Sequence, residues 1–526
     1  MKRSSVIWRL LWAAILIPLL VIGQEKFSAA KLKKIDAYAA RAGEDWRVPG
    51  FAMAIVKDDA ITFAKGYGLR ELGKPEPVNE HTLFAIASNS KAFTAAALAI
   101  LVDEGKIKWD DPVTKHLPSF QLYDPYVTRE LTVRDLLCHR SGLATFAGDL
   151  LWYMTTYSRD EIFQRMRYLK PTTSFRTTFG YQNLMLLAAG QIIPAVTGKS
   201  WDDFIKERFF APLGMVRSNT GITAFKPGDN VATPHNEVDD RIHVIHYVNV
   251  DNLAAGGGIN SSVAEVAQWL RLQLGRGMFQ GKEIFSAARS REMWTAHTAI
   301  PIGEQSEKLN PTTHFQAYGL GWFMMDYHGR KVLNHGGGLD GMTSQTGMMP
   351  EENLGVVVLT NSETPLSSIL MRKVFDVFLG VPKRDWSAES LERAKKAKAA
   401  QHAAAEKIEQ ERDKEAKPSL ALSGYAGAYS GEMYGDATIA EENGKLVLRL
   451  LPAPDFVGDL EHWHYDTFRL KWRSSVVYPF PKGFVTFTLN AQGHVDEMKI
   501  DVPNNDFDFK ELEFKRKPET VGTNGR

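Results

Sequence analysis

The sequence predicts an α+β domain, one antiparallel sheet flanked by helices plus a helical lobe, followed by a separate small all-β barrel. Three observations predict it. A strand hairpin near residue 50 and a series of strands ending near residue 360 bracket a helix- and loop-rich middle, so both ends of the domain feed one sheet. Between Ser387 and Lys417 the composition shifts to Ala, Glu, Lys, Gln and Arg. After Pro418 only short strand patterns remain.

Taken in order, Lys2, Arg3 and Arg9 precede an uncharged run over 10–24, shorter than the ~20 apolar residues that span a bilayer comfortably. The pattern predicts a signal peptide over 1–23 and a periplasmic or secreted product, with no stable membrane span once it is removed. The alternative is an anchor formed by an uncleaved N-terminal segment. From Pro49 to Val56 the chain reads as a buried strand, Lys57-Asp58-Asp59 as a turn, and Ala60 to Gly68 as the returning strand. An apolar helix runs through Ala92 to Val102, and helices and loops continue to about Gly275. Strands resume at Tyr318–Met324, Lys331–His335, Met342–Met349 and Gly355–Thr360, which closes a first domain over 30–380. A charged helical linker covers 381–417. The barrel covers 418–517, with a hairpin signal at Asn443-Gly444, and a disordered tail covers 518–526.

Composition excludes several classes. The 526 residues carry a net charge of +1, so nothing favours nucleic acid or an anionic membrane as partner. Cys138 stands alone, so no intrachain disulfide forms. Zinc-type Cys/His spacing and HExxH are both absent, so no metal and no cofactor is expected. His462-Trp463-His464 reads as surface or barrel lining, and adjacent Cys138 and His139 as packing residues, because neighbours on a helix point ~100° apart.

The chemistry concentrates at Ser88-Asn89-Ser90-Lys91. A Ser and a Lys three apart share one helical face, and a neutral hydroxyl needs an adjacent base to become a nucleophile. An amine at a helix N-terminus, and buried, loses its proton more readily. Ser28-Ala29-Ala30-Lys31 matches the same spacing but sits in a lysine-rich, solvated stretch. Tyr181-Gln182-Asn183 precedes an apolar helix and offers a phenol as proton relay and an amide to orient Lys91. Tyr247-Val248-Asn249 repeats the pattern on an alternating, strand-like segment. His335-Gly336-Gly337-Gly338 ends a strand in glycines that leave backbone N–H groups open to a ligand, or form a tight turn.

In this order the motifs resemble the serine β-lactamase and penicillin-binding superfamily. They are most similar to its class C-like branch, which carries YxN as second motif and includes esterases, D-aminopeptidases and related peptidases. Leu131–Leu143, Pro212-Leu213-Gly214-Met215 and Ala254–Gly258 support the resemblance, which covers about 30–380. The C-terminal segment resembles a lipocalin-like accessory domain. The family's KTG is His335-Gly336-Gly337 here, so the lysine that meets a β-lactam carboxylate is missing.

The resemblance implies a serine hydrolase working through an acyl-enzyme on a small peptide, amide or ester. Ser88 is the expected nucleophile, and Lys91 and Tyr181 are the expected proton acceptors. Asn183 and His335 are the expected substrate contacts, with Gly337 and Gly338 lining the oxyanion region. The alternatives are a penicillin-binding or β-lactamase-type protein and a slowly acylated cell-wall peptide sensor. The accessory domain is the surface expected to form any homo-oligomer.

Overall fold

The computed structural model describes residues 17–477 and 479–518, with side chains from residue 29 onward. The expected signal peptide is described only as backbone from Ile17, and the expected tail beyond Pro518 lies outside the described residues. No helix among the described residues is long and apolar enough to cross a membrane.

The sheet has eight strands: β1 (Gly50–Lys57), β2 (Ala60–Gly68), β3 (Thr298–Ile300), β4 (Gln316–Tyr318), β5 (Phe323–Tyr327), β6 (Arg330–Leu339), β7 (Met342–Met349) and β8 (Leu354–Thr360). Their spatial order is β2-β1-β8-β7-β6-β5-β4-β3, every named pair antiparallel. The N-terminal hairpin therefore docks on the last strand in sequence, with Ala54 opposite Val357. Side chains alternate between the two faces. Ala52, Ala54 and Val56 enter the core shared with the helical lobe, while Phe51, Met53 and Ile55 enter a second core.

Six longer helices organise around this sheet: α1 (Ile17–Asp45), α2 (Ser90–Asp103), α3 (Asn183–Thr197), α4 (Val263–Leu274), α5 (Leu366–Leu379) and α6 (Trp386–Gln410). Ile35, Tyr38, Ala39 and Ala42 of α1 join Leu370, Met371, Val374 and Phe375 of α5 over the second core. On the other face α2 is apolar nearly all round and buried along its length, as a helix enclosed by protein must be. Phe93 stacks on Trp269 of α4 at 3.8 Å between ring centroids and meets Phe209 and Phe210 edge-on.

Two local expectations shift. Ser88 does not open α2; it sits in a short 3-10 turn, Ala87–Asn89, and the α-helix starts at Ser90. His335 does not end a strand. β6 continues through Gly336, Gly337 and Gly338 to Leu339, each paired with β7.

The linker contains α6, whose Trp386 and Ser387 are buried while most of its length is exposed. Asp385 caps it by accepting from the Ala388 N–H at 3.2 Å. Lys398 then reaches back to Glu237 and Asp240 on the lobe.

The C-terminal strands β9 (Gly427–Gly431), β10 (Gly435–Glu442), β11 (Lys445–Leu450), β12 (Val457–His464), β13 (Thr467–Trp472), β14 (Gly483–Leu489), β15 (Val495–Asp501) and β16 (Phe514–Arg516) close into a barrel. Closure through β9 and β16 leaves no free edge. The barrel is seated on the helical lobe. Tyr157 Oη donates to Tyr434 O at 2.7 Å, Thr156 N to Pro452 O at 2.9 Å, and Arg165 Nη1 to Met433 O at 2.8 Å. Tyr153 and Phe507 pack across the same boundary with ring centroids 4.2 Å apart.

Phe93→Ala removes the ring that locks α2 against α4. It is expected to cost about 3–5 kcal/mol of stability, read as a lowered midpoint in urea or thermal denaturation.

Candidate active site

The 3-10 turn holding Ser88 is anchored to the sheet by the residue next to it. Asn89 Nδ2 donates to Ser344 Oγ at 2.8 Å, Thr346 Oγ1 donates to Asn89 Oδ1 at 2.5 Å, and Ser344 Oγ donates to Ile86 O at 2.7 Å. Ala87 takes φ = +46° immediately before the serine, a conformation disfavoured by ~1–2 kcal/mol for a residue with a Cβ. The surrounding bonds fix that bend and present Ser88 to the cavity.

Lys91, one turn on, is fully buried. Its Nζ lies 2.9 Å from Ser88 Oγ, 2.6 Å from Asn183 Oδ1 and 2.8 Å from Gly256 O. A carbonyl oxygen only accepts, so Gly256 takes one N–H. Asn183 is turned by its other side: Nδ2 donates to Asp149 Oδ2 at 2.6 Å, which leaves Oδ1 for the lysine. Two hydrogens of a neutral amine are thereby spoken for, and its lone pair faces the Ser88 hydroxyl. Burial pushes Lys91 down to about 7, against the Asp149 carboxylate, which favours its proton. Burial also raises Asp149, to about 7.

Tyr181 lies on the loop before α3, its ring 4.9 Å from Lys91 Nζ and 4.3 Å from the His139 ring, and it lines the cavity together with Ser88. Burial raises this phenol far above its ordinary range, so it rests protonated. His139 is completely buried behind it, and Nδ1 accepts the Gln182 N–H at 3.0 Å, fixing the backbone between Tyr181 and Asn183. Tyr247, from the decoy motif, donates instead to Ala232 O at 2.9 Å.

His335 lines the cavity, with both ring nitrogens engaged inside the protein. Nδ1 is 2.6 Å from Gly336 O, which can only accept, so Nδ1 carries the hydrogen and Nε2 accepts from Tyr318 Oη at 2.9 Å. Burial, with Lys91 nearby, depresses the ring to about 3. It is neutral at physiological pH, so this arrangement leaves neither a positive charge nor a free donor for a substrate carboxylate. Gly337 is required by close approach: a Cβ there would stand 2.3 Å from Ile86 O, 2.4 Å from Ser344 Oγ and 3.0 Å from Ser88 N. Gly338 has open space at the same position and faces the cavity.

The structure thus brings Ser88, Lys91, Tyr181, Asn183, His335, Gly337 and Gly338 to one place. Sequence reasoning missed Asp149, Gly256, Asn89 and Tyr318. Asp149 sits in an ordinary Gly148-Asp149-Leu150 stretch with no local signal, and Gly256 contributes only a carbonyl. Among the described residues no group of three His, Cys, Asp or Glu side chains could hold a metal ion, and His462 is bonded to Tyr465 O.

Fold and site define a mixed helix-and-sheet domain that sets a serine, a lysine and a tyrosine around one cavity, with a β-barrel attached. A family model described as Beta-lactamase matches residues 35–375, and the chain belongs to that family. A second, described as Domain of unknown function (DUF3471), matches 411–516, which include the barrel strands. Unguisins hydrolase ungD' of Aspergillus campestris is 31% identical over 335 residues, 61% of this chain and 60% of its own length. Protein flp of Staphylococcus aureus (strain MRSA252) is 26% identical over 346 residues, 62% of each chain. The chain spans about three-fifths of the length of these curated relatives.

Among solved structures, the octameric penicillin-binding protein homologue from Pyrococcus abyssi superposes with a TM-score of 0.60 at 22% identity, covering 92% of this chain and all of that one. The D-amino acid amidase from Ochrobactrum anthropi SV3 gives 0.55 at 23% identity, covering 66% of this chain and 99% of its own. Both share the fold.

Asp149→Ala frees Asn183 to rotate and is expected to lower kcat/KM about 100-fold, the scale of an ångström-level misplacement. Asp149→Asn keeps an acceptor for Asn183 and is expected to recover most of that loss. Steady-state assays of the two variants on one ester check both. Gly337→Ala is expected to cost at least about tenfold in the same assay, since the clash falls on backbone that flanks Ser88.

Proposed function

We propose that the protein is a serine hydrolase that cleaves small peptide, amide or ester substrates through an acyl-enzyme at Ser88. The observation that carries this reading is the Lys91 amine, buried and held by two acceptors so that its lone pair meets the Ser88 hydroxyl.

Ser88 Oγ attacks the substrate carbonyl as its proton passes to Lys91. Tyr181, protonated and on the cavity wall with Ser88, stands beside the leaving group and supplies a proton to it, to be replenished from the Lys91 ammonium. Water then attacks the acyl-enzyme by the reverse proton path. Backbone N–H groups at Ser88 and Gly338 serve the oxyanion, where each donor is worth about 3 kcal/mol. Among the proton acceptors expected from sequence, the raised phenol of Tyr181 and the lowered amine of Lys91 favour Lys91 as the base in the resting site.

The name of the unguisins hydrolase relative supports hydrolysis, and that of the amidase neighbour supports an amide as the bond cleaved. The neutral, fully engaged His335 supports substrates other than β-lactams, whose carboxylate needs a cation.

The test is a panel of p-nitrophenyl esters, D- and L-aminoacyl anilides and a chromogenic cephalosporin, assayed with the native chain and Ser88→Ala. Ser88→Ala is expected to lose at least about 10³-fold in kcat on esters and anilides; equal rates for the two proteins would overturn the proposal. Lys91 works as a base only when neutral. kcat/KM is therefore expected to rise with pH through a midpoint near 7, and Asp149→Asn to move that midpoint lower by removing the charge that favours the Lys91 proton.

A further inference from the structure

The cavity in front of Ser88, about 500 Å³, carries charge of one sign. Asp149, Asp340, Glu363 and Asp506 line it, and no Lys or Arg does. Asp340 comes from the turn between β6 and β7, Glu363 from the segment after β8, and Asp506 from the barrel. These last three act on one another across the domain boundary. Burial raises the Asp340 carboxyl to about 6, with Glu363 and Asp506 adding to the rise, and burial and Asp506 raise Glu363.

Their partners inside the protein are few. Tyr153 Oη donates to Asp340 at 2.8 Å, and no hydrogen bond or ion pair engages the Glu363 or Asp506 carboxylate among the described residues. Asp149, only 3% exposed on the cavity wall, keeps Oδ1 without a hydrogen-bond partner. Like charges gathered around one cavity repel, and a cation settling among them relieves the repulsion. Aromatic rings, Phe146, Trp152, Tyr153, Phe179 and Phe323 of the catalytic domain and Phe507 of the barrel, supply apolar surface and π faces that also attract a cation. A metal ion is a poor occupant, since among the described residues no three acidic groups converge closely enough to ligate one. An ammonium group needs no such convergence.

We propose that this cavity selects substrates bearing a free ammonium group beside a bulky apolar or aromatic portion, with Asp340, Glu363 and the barrel's Asp506 holding the ammonium. The proposal rests on the hydrolase reading only for the reacting carbonyl. The barrel thus contributes specificity directly, through Asp506 and Phe507.

Binding to the full chain carrying Ser88→Ala tests this without turnover. Calorimetry at pH 7 compares 2-phenylethylamine with its N-acetyl derivative and with 3-phenylpropionate. The amine is expected to bind at least tenfold more tightly than either. Asp506→Asn, on an exposed loop, and Asp340→Asn are each expected to cut that preference at least threefold. Equal affinities, tighter binding of the carboxylate, no measurable amine binding, or a preference unchanged by both substitutions would overturn it. Amine preference without Ser88-dependent hydrolysis in the panel would instead count against the hydrolase reading alone.

Discussion

The site depends on one constraint: a lysine side chain is taken wholly out of water and given acceptors placed by other parts of the chain. Desolvation alone would make such an amine costly, and a buried charge is tolerated only when it is paired or lost. Here α2 carries Lys91 inward, the Ala254–Gly257 turn supplies one carbonyl, and the start of α3 supplies the Asn183 amide. The packing serves the same end. Thr94 Oγ1, one turn beyond Lys91, donates to Ala255 O at 2.7 Å and accepts from Trp201 Nε1 at 3.0 Å, so the carbonyl-bearing turn cannot drift from the helix.

The charge balance extends beyond the N-terminal domain. Gly148 N donates to Glu511 Oε2 of the barrel at 2.7 Å, and the Glu511 charge acts on the neighbouring Asp149. Burial lifts Glu511 to about 7, the same range to which Asp149 rises and Lys91 falls. Glu511 thus acts on Asp149, and Asp149 on Lys91, so an electrostatic influence runs from the barrel to the buried lysine. The barrel acts on the active site both electrically and as a wall.

Much of this was legible in the sequence. Alternating strands at both ends of the N-terminal domain predicted the single sheet, because each strand buries one side chain in two on either face. The short strand patterns after Pro418 and the Asn443-Gly444 turn predicted the barrel. Ser88, Lys91, Tyr181 and Asn183 stood out because their order resembles a known family's. The decoys were separable by context: Lys31 donates to Phe378 O on the far side of the sheet, and Tyr247 faces Ala232. What stayed hidden were contacts made by distance in space alone. Asp149 becomes meaningful only when α3 turns Asn183 toward it. The His335 ring changes meaning once Tyr318 occupies Nε2, and Asp506 once the barrel folds back over the lobe. No spacing rule encodes those meetings, since each joins segments with no shared periodicity.

That fold-back has a consequence for how the protein is made. Ser88, Lys91, Tyr181 and Asn183 all leave the ribosome long before Asp506, Phe507 and Glu511, because synthesis runs from N- to C-terminus and domains fold as they emerge. The Ser88–Lys91 contact can form while one side of the cavity is still open to water. The barrel then closes it as the last strands pair. Until that moment the nascent chain holds the Ser88–Lys91 pair with no barrel wall around it, so the order of residues along the polypeptide also schedules when the cavity is completed.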